Sequence, residues 1–599
     1  IIPEKKQARS LVTGRKLTPL KLNKFQRTRN DIYIQEMNLD KAWVRPGEMN
    51  RIILIMGPIR KEKRNISLRF FVRNFKGDVV KELSVSNVKE WWGTDIDTKD
   101  FPEGGYILEA ELYRKGSLLD KVRDVFTVAR EIADDIRYGF YANWDRLGTD
   151  YNKKTSYFLK LHINAIEYYD YFPAHGLYAP REKVYRFEPF GGKNILARDI
   201  QYKMNAAYDC NILSLAYIAA YAASGSVYQR YPYPMTDRKG DPRIFNGSVM
   251  TEPEARAQKK PVWFHLMAIA PDTKWYSYIM PELKRTIDNS PGDLVAFDGF
   301  EIDSYGHSPD EMYYSKGSSY SGRLLSFVLK GFVRDVRDMA RRGKNRSAVT
   351  FNCVNEYGIR DMYDAVDFLF IENWAGHQSS LEGLTDICYS NRKPFRQRVV
   401  LKLYPADMEE GLKYWPAVNL KYILAASLSG GGTIMAAGEP DERHDRMHGL
   451  NTLYYPDNTA MPAENFDILR RYYTVDSLLY RLNHGKNVEN TDTELSLPGC
   501  YVRAFRSLMG PGEEYTVILI QHTGKNIDWN RKLSGMDILK NYETALKIRT
   551  NVKPKKVYYC SPDFEELLYP QVLDWEWKDG YVRTLLPRLD VSGILIIQM

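Results

Sequence analysis

The stretch "AFDGFEIDSYGH" (residues 296–307) begins as an apolar strand and ends in a Gly-containing turn, yet it carries Asp298, Glu301 and Asp303. Successive side chains of a strand point to opposite faces, so Asp298 and Asp303 project to different faces. At about 3.3 Å per residue they also lie roughly 16 Å apart along the strand. We therefore expect Asp303 to reach the carboxyl end of the strand, with Glu301 one step lower.

This strand belongs to an alternation of strands and helices that continues for about 300 residues on both sides of it. The clearest helix, residues 322–343, has apolar residues at three- and four-residue spacing. No GxGxxG or phosphate loop follows the first strand, which weakens a doubly wound open sheet as the alternative. The alternation predicts a (β/α)8 TIM barrel. Its strands are expected at 138–144, 165–172, 212–221, 294–303, 348–355, 366–374, 399–405 and 432–438.

Short strands rich in β-branched and aromatic residues stand on both sides of this region and are separated by Gly, Pro, Asn and Asp. The sequence therefore predicts a multidomain α/β protein in which a central barrel is flanked by two β-domains. The expected parts are an N-terminal extension at 1–30, an immunoglobulin-like β-sandwich at 31–132, the catalytic barrel at 133–485, and an antiparallel C-terminal β-sandwich at 486–599.

Composition excludes several classes of protein. The net charge of +9 is dispersed, and the densest basic run, "RKEKR" (60–64), is typical of a solvated turn, so we expect no nucleic-acid partner. The five cysteines form no CxxC pair and have no neighbouring His at ligand spacing, so we expect no metal site, no disulfide framework and no cofactor.

The chain has no segment that predicts a membrane span. Its longest apolar run, at 212–224, is too short to cross a bilayer. The sequence opens at Ile1 rather than Met, which suggests that a leader has been removed.

A lone Asp at a strand end is equally well explained as a cap on the following turn. A catalytic role for Asp303 therefore requires a second carboxylate nearby. The candidates are Glu356 in "FNCVNEYG" and Glu372 in "FLFIENW". Alternate strands of a (β/α)8 barrel contribute to the same layer of side chains, so strands 4 and 6 project at matching heights. This favours Glu372, with Glu356 as second choice.

Two carboxylates at an opening lined by Trp and Tyr suit the cleavage of a glycosidic bond. One attacks the anomeric carbon, the other protonates the leaving oxygen, and aromatic rings bind the sugar faces. The strand ends "NWD" and "YYDYF" supply Trp144 and Tyr169 to such an opening. A hydrogen-bonded carboxylate pair at a loop junction is the structural alternative.

Several motifs in one order resemble glycoside hydrolase family 66, the dextranase and cycloisomaltooligosaccharide glucanotransferase family. They are "HINAIEYYDYFPAHG" (162–176), "FDGFEIDSYG", "FNCVNEYG", "VDFLFIENW", "GGGTIMAAGE" and "MHGLNTLYYPDN" (447–458). A Trp-Gln-Gly stretch common in strand 4 of the family is replaced here by residues 300–302, which bears on the subsites more than on the reaction.

By this resemblance Asp303 is the nucleophile and Glu372 the general acid/base of a retaining, double-displacement reaction. Further residues match family positions near the substrate, namely Asp170, His175, Trp374 and Glu439. Each also has a structural interpretation. Asp170 and His175 suit a loop hydrogen bond, Trp374 suits packing at the rim, and Glu439 suits a cap on the next turn.

The resemblance implies an endo-acting dextranase that cleaves α-1,6-glucan to isomaltooligosaccharides. Cyclising transferases of the family are expected to carry a carbohydrate-binding module around strand 7, where this chain has fewer than thirty residues. The alternatives are such a glucanotransferase, or a catalytically silent glucan-binding protein. We expect a monomer that acts outside the cytoplasm, since the polymer is too large to import.

Overall fold

The computed structural model describes most of the chain from Tyr33 onward. The predicted N-terminal extension and the basic run at 60–64 lie outside the described residues, as does most of 447–458. The described residues are 33–57, 66–86, 88, 91–186, 194–219, 221–288, 294–303, 313–314, 318–343, 346–392, 397–409, 412, 414–441, 446–449, 460–484, 487–495, 497, 499–522, 527–533 and 544–599.

Two β-sheets form the amino-terminal part and share one hydrophobic core. Alternate residues of their strands are buried, as in Met49–Met56, where Ile52 and Leu54 point inward. The three-stranded sheet has the order Ile34–Leu39, Met49–Met56, Trp91–Asp97. The five-stranded sheet has the order Trp43–Val44, Ser117–Val128, Gly104–Arg114, Ile66–Asn74, Val79–Ser86.

Eight parallel strands follow, at the eight places that the sequence predicts. They are Tyr138–Tyr141, Ala165–Tyr168, Leu213–Ala219, Gly299–Asp303, Ala348–Phe351, Leu369–Glu372, Val399–Lys402 and Gly432–Ile434, called strands 1 to 8 below. Strands 1 to 5 pair in chain order in one sheet, and strands 6 to 8 pair in a second. A parallel bridge between Asn352 and Phe370 joins the two sheets. The strands are buried on both faces, which explains their continuous apolar sequences.

Helices connect the strands, as a parallel arrangement requires. The helix predicted at 322–343 is observed at Ser326–Gly343, and its apolar stripe packs on the strands through Val333 and Val336. The other helices after strands 1 to 8 are Tyr151–Lys160, Ala197–Asp209, Lys274–Asp288, Ile359–Met362, Leu381–Asn391, Ala417–Ser429 and Ala463–Leu478. Shorter helices are Gly225–Tyr228, Glu252–Ala257 and Tyr480–Asn483, and 3-10 turns are Ile132–Asp135, Val354–Glu356, Pro405–Asp407 and Glu565–Leu567.

Small additional sheets decorate these connections. A four-stranded sheet between strands 3 and 4 has the order Ala222–Ala223, Phe264–Leu266, Arg243–Phe245, Val249–Thr251. Two hairpins are Val184–Arg186 with Asn194–Leu196, and Ala437–Asp441 with Arg446–Gly449.

The chain returns to strand 1 after strand 8. At Gly438 it passes so close to Phe140 of strand 1 that an added Cβ atom would lie 2.2 Å from Cζ of that ring, so a larger residue would displace the ring. In the described part of the chain, no hydrogen-bonded ladder joins strand 8 to strand 1.

The carboxyl-terminal part returns to β-structure, as the sequence predicts. A six-stranded sheet has the order Val488–Thr491, Cys500–Gly510, Glu513–His522, Ser592–Gln598, Lys556–Cys560, Gln571–Val572. A three-stranded sheet has the order Thr544–Arg549, Tyr581–Leu586, Trp575–Lys578. Leu546, Ile548 and Ile597 belong to the core that the two sheets share. Among all the helices that the structure describes, none is long and apolar enough to cross a membrane.

Candidate active site

The two carboxylates selected from the sequence are the last residues of strands 4 and 6. Asp303 ends Gly299–Asp303, and Glu372 ends Leu369–Glu372. Strand 5 lies between them, and Asn352 follows its last residue, held by a 2.9 Å hydrogen bond from its backbone N–H to the carbonyl of Ile302. Parallel strands of similar length end at the same edge, so these three side chains meet at one place.

Asn352 joins the two carboxylates. Its Nδ2 donates to Oδ1 of Asp303 at 2.8 Å and to Oε2 of Glu372 at 2.8 Å, while its Oδ1 accepts from the backbone N–H of Glu372 at 3.3 Å. Because both oxygens are bonded to the same nitrogen, they lie at most about 5.6 Å apart. One amide therefore fixes the separation of the pair.

Three further side chains hold the pair from its sides. The hydroxyl of Tyr217 donates to Oδ2 of Asp303 at 2.9 Å. On the other side, Nζ of Lys402 donates to Oε2 of Glu372 at 3.1 Å, and the hydroxyl of Tyr404 is hydrogen-bonded to the same carboxylate. Among the described residues, these partners of the pair all lie on a neighbouring strand or just beyond its end.

Burial raises the pKa of Asp303 to about 6, and the neighbouring Glu372 carboxylate adds to this shift. Lys402 opposes it with its positive charge, as do the hydrogen bonds from Asn352 and Tyr217. Two negative charges this close repel each other, which is why the Glu372 carboxylate contributes to the raised pKa of Asp303.

The other two acids of the quoted stretch, Asp298 and Glu301, make different contacts. Asp298 accepts from the backbone N–H of Ser214 at 3.0 Å and lies 3.8 Å from Arg346, at the opposite end of the strand from Asp303. Glu301 is 1% exposed and lies below the pair, as the alternation of strand side chains predicts. Burial raises the pKa of Glu301 well above its ordinary value, with contributions from Glu167 of strand 2 and from Asp303.

Glu356, the second choice for the partner acid, is engaged elsewhere. It lies in the 3-10 turn Val354–Glu356 with a left-handed backbone (φ 60°). One of its oxygens accepts from Nδ2 of Asn391 at 2.5 Å, and the other lies 3.0 Å from Nε2 of His377. These contacts favour Glu372 as the partner of Asp303, as the layer argument does.

Three predicted substrate residues lie close to the pair. Tyr169 and His175 contact the ring of Tyr217, whose hydroxyl bonds Asp303, with centroid separations of 4.4 and 6.4 Å. His175 is 2% exposed, and burial lowers its pKa to about 3, so the imidazole is neutral. Trp374, two residues beyond Glu372, is partly buried and packs its ring 4.9 Å from that of Tyr404.

Trp144 does not fit the stacking role predicted for it. It is 1% exposed, its ring stacks on Tyr168 at 5.4 Å, and Nζ of Lys203 lies 4.8 Å from its centroid. The ring is therefore enclosed by protein groups, and its Nε1 donates to the carbonyl of Tyr169 at 2.9 Å. The sequence placed Trp144 at a strand end, but the structure places it in the hydrophobic core.

Glu439 and Asp170 are both buried. Glu439 forms ion pairs with Lys203 at 2.9 Å and Lys154 at 3.6 Å. Burial would raise the pKa of Glu439, but these two ammonium groups lower it overall. Asp170 is 3% exposed and has a left-handed backbone (φ 49°). A substrate-binding role for either carboxylate stays a prediction.

Asn352, Tyr217 and Lys402 were not predicted from the sequence. The sequence does mark two of them, because Asn352 follows "AVTF" and Lys402 follows "VVL", each a polar residue at the end of an apolar run. Buried polar groups need partners, so a single Asn or Lys in such a run marks a functional position or a buried ion pair.

A cleft of about 1060 Å³ lies away from the carboxylate pair. Its lining includes Asp298, Ser214 and Arg346, at the amino-terminal ends of the strands, together with Lys41 and Arg45, which lie next to strands of the amino-terminal part. Neither Asp303 nor Glu372 lines it. Among the residues that the structure describes, no three His, Cys, Asp or Glu side chains are grouped to hold a metal ion.

The site combines two carboxylates whose nearest oxygens lie at most about 5.6 Å apart with neighbouring aromatic rings. Such a pair can act as acid and nucleophile in breaking an acetal bond. This chemistry is typical of the class of glycoside-cleaving proteins. Residues 39–591 match the model of "Glycosyl hydrolase family 66". The match spans nearly the whole chain, so this protein belongs to that family, which supports activity on glucans.

Solved structures with a similar fold include another member of the family. A Paenibacillus cycloisomaltooligosaccharide glucanotransferase complexed with cycloisomaltoheptaose superposes with a TM-score of 0.75 and 15% identity, over 94% of this chain and 100% of that one. At this identity the likeness shows the fold alone. A comparison with curated protein sequences found no match.

Two further structures are more distant. A Geobacillus thermoleovorans alpha-amylase complexed with acarbose has a TM-score of 0.45 and 12% identity, over 78% of this chain and 99% of that one. A family 39 glycoside hydrolase from Bacteroides cellulosilyticus has a TM-score of 0.37 and 12% identity, over 94% and 100%. Neither is similar enough to support an argument.

Proposed function

We propose that this protein is a retaining endo-hydrolase of α-1,6-glucan, a dextranase, in which Asp303 is the nucleophile and Glu372 the general acid/base. The observation that carries the proposal is the shared amide of Asn352, which limits the two carboxylate oxygens to about 5.6 Å. Retaining glycosidases place their carboxyl groups about 5–5.5 Å apart, whereas inverting enzymes need about 6.5–9.5 Å for a water molecule.

The reaction would proceed in two displacements. Asp303 attacks the anomeric carbon while Glu372 gives its proton to the leaving oxygen, which forms a covalent glucosyl ester. Glu372, now ionised, removes a proton from water as that water attacks the ester and frees Asp303. Tyr217 and Asn352 would hold the nucleophile through their hydrogen bonds to Asp303. The rings of Tyr169 and Trp374, which pack beside Tyr217 and Tyr404, would contact the sugar faces.

The larger architecture is part of the same proposal. We propose that strands 1 to 8 form a (β/α)8 barrel, with the return of Gly438 to strand 1 marking its closure. The barrel would occupy 133–485, between an immunoglobulin-like β-sandwich at 31–132 and a C-terminal β-sandwich at 486–599. We also propose that the monomer acts outside the cytoplasm, where a polymeric glucan is found.

Hydrolysis is favoured over cyclisation by the connection between strands 7 and 8. Fewer than thirty residues separate Lys402 from Gly432, which is too few for an inserted module, and the described ones contain the 3-10 turn Pro405–Asp407 and the helix Ala417–Ser429. The similarity to a cycloisomaltooligosaccharide glucanotransferase keeps transfer to a sugar acceptor as the second candidate.

One experiment separates these functions. The protein is incubated with dextran, reducing ends are measured, and the anomer released first is identified by proton NMR. New reducing ends with the α-anomer in excess support retaining hydrolysis, and cyclic products without new reducing ends support the transferase. Dextran binding without either product would indicate a silent glucan-binding protein.

The nucleophile is tested by Asp303→Gly with and without azide. Hydrolysis should fall by several orders of magnitude, and azide should restore turnover with a β-configured glucosyl azide as product, since azide replaces the carboxylate. An initially released β-anomer from the unmodified enzyme, or full activity of Asp303→Gly without azide, would remove Asp303 from this role.

A further inference from the structure

The cleft that lies away from the carboxylate pair is found at the amino-terminal ends of strands 3, 4 and 5. Its lining includes residues of the helix Ala197–Asp209 together with Lys41, Arg45 and Glu48, which lie next to strands of the amino-terminal part. Its volume of about 1060 Å³ is as large as that of pockets that enclose a drug-sized ligand. The cleft therefore has room for an oligosaccharide rather than for a single sugar.

Two exposed tyrosines line this cleft from the same helix. Tyr202 is 45% exposed and Tyr208 is 65% exposed, which makes Tyr208 the most exposed large hydrophobic side chain among the residues that the structure describes. Six residues separate the two, so at 1.5 Å per residue they lie about 9 Å apart along the helix axis. Two rings at this spacing can contact different units of one extended ligand.

The ring of Tyr208 is held in place although it is exposed. The guanidinium carbon of Arg346 lies 4.3 Å from the centroid of that ring, and Nη1 of Arg346 donates to Oδ1 of Asn211 at 3.0 Å. Nδ2 of Asn211 in turn donates to Oε2 of Glu48 at 2.8 Å. This chain of contacts orients the ring in advance, which lowers the entropy that binding a ligand would cost.

The charges of the cleft are balanced, which indicates the class of ligand. In the part of the lining that the structure describes, three basic side chains accompany three acidic ones, namely Lys41, Arg45 and Arg346 with Glu48, Asp209 and Asp298. An anion would meet the acids and a cation would meet the bases, so neither is selected.

The uncharged polar groups of the cleft suit a ligand rich in hydroxyl groups. They are the amides of Gln201, Asn205 and Asn211 and the hydroxyls of Tyr202, Tyr208 and Ser214. Amides and hydroxyls both donate and accept hydrogen bonds, as sugar hydroxyls do. A neutral carbohydrate presents such hydroxyls together with apolar faces that can lie against aromatic rings.

We propose that this cleft is a second, non-catalytic glucan-binding site, in which Tyr202 and Tyr208 contact sugar faces and Asn205 bonds sugar hydroxyls. The inference rests on the proposed function, which supplies the glucan as the ligand. Asp298 at the cleft and Asp303 at the carboxylate pair are five residues apart, about 16 Å of extended chain. A short oligosaccharide therefore occupies one site or the other, whereas a polymer engages both and gains apparent affinity from the second contact.

The test uses the variants Tyr208→Ala, Asn205→Ala and the double variant of Tyr202→Ala with Tyr208→Ala. Retardation in native gels that contain dextran measures binding without turnover, and kinetics compare dextran with a short aryl isomaltotrioside. The double variant should bind dextran about threefold more weakly or worse, and KM for dextran should rise by a similar factor. Its kcat on dextran and its kcat/KM on the aryl isomaltotrioside should stay within about twofold of the wild type, since the carboxylate pair is untouched.

Tyr113→Ala is the matched control. Tyr113 is also a tyrosine beside a guanidinium group, that of Arg69 at 5.0 Å from its ring centroid, but it is not among the described residues that line the cleft. Its replacement should leave both the retardation by dextran and KM for dextran unchanged.

Unchanged retardation and KM in the folded double variant, or an equal loss in Tyr113→Ala, would overturn the proposal. Tyr202, Asn205 and Tyr208 are all exposed, so their replacement should leave folding intact, as circular dichroism would verify. If the double variant fails to fold, weaker retardation of Asn205→Ala supports the site and unchanged retardation rejects it. Retardation that depends on Tyr208 without cleavage of dextran would reject the dextranase assignment and retain the site, whereas cleavage with unchanged retardation would do the reverse.

Discussion

Replacing Asn352 with Ala should weaken the carboxylate pair, because Asn352 contacts both acids. The substitution removes the donor that is 2.8 Å from both Asp303 and Glu372. A hydrogen bond to a charged group contributes about 1.5–3 kcal/mol, and about 1.4 kcal/mol corresponds to a factor of ten in rate. We therefore expect kcat/KM on dextran to fall by about 10- to 100-fold.

The same substitution should leave a signature in the pH profile. The hydrogen bond from Asn352 lowers the pKa of Asp303, which burial and Glu372 have raised to about 6. A nucleophile works only when ionised, so activity is lost as the pH falls through this pKa. Removing the bond raises the pKa further, and the acid limb of kcat/KM should move to higher pH.

The assay is kcat/KM for dextran between pH 4 and 9, with circular dichroism to verify folding. Asn391→Ala is the matched control, because Asn391 is also buried and donates to a carboxylate, that of Glu356, at 2.5 Å. It should leave the acid limb in place. A folded Asn352→Ala protein with kcat/KM within twofold of the wild type, or an equal loss in Asn391→Ala, would refute the reasoning.

Three other outcomes are expected. Glu372→Gln should slow cleavage of dextran far more than that of an activated aryl isomaltoside, because an activated leaving group needs no proton. If Glu356→Gln shows this pattern and Glu372→Gln does not, Glu372 is not the general acid. Burial raises the pKa of Asp303 in the folded state, so its ionisation destabilises the fold as the pH rises through about 6. Asp303→Asn should accordingly raise the apparent Tm by about 2 °C at pH 8 relative to wild type and by less at pH 5, as followed by calorimetry. Dextran cleavage should survive dialysis against EDTA, since two carboxylates suffice for the chemistry, and loss of activity restored by one added metal would contradict this.

The strands were predictable because each is buried on both faces and reads as a short apolar run between turns. Their ends were predicted too far out. Strand 4 was expected from residue 294, but it begins at Gly299, because the N–H of Phe297 bonds the helical carbonyl of Thr286 instead of a strand partner. The first and last residues of a strand depend on which backbone groups form hydrogen bonds with each other. The apolar content of the sequence does not reveal those partners.

The candidate site was likewise only partly predictable from the sequence. Asp303 and Glu372 could be paired because each ends a strand, and the strand count places those ends in one layer. Trp144 was misplaced for a related reason: it too follows a strand closely, but its side chain turns inward onto Tyr168. Periodicity locates a residue along the chain, whereas the direction of a side chain beyond the last strand residue depends on loop geometry.

The acidic content of this site also limits how it can work. Glu301, Asp303 and Glu372 interact electrostatically, with Lys402 as a nearby positive charge. In a buried, low-dielectric environment each further ionisation is opposed by those already present, and burial together with the neighbouring acids raises the pKa of Glu301 well above its ordinary value. The proposed double displacement requires a proton on Glu372 in its first step and its removal in the second. Burying Glu301 beneath Asp303 therefore keeps a further protonatable group next to the proposed nucleophile.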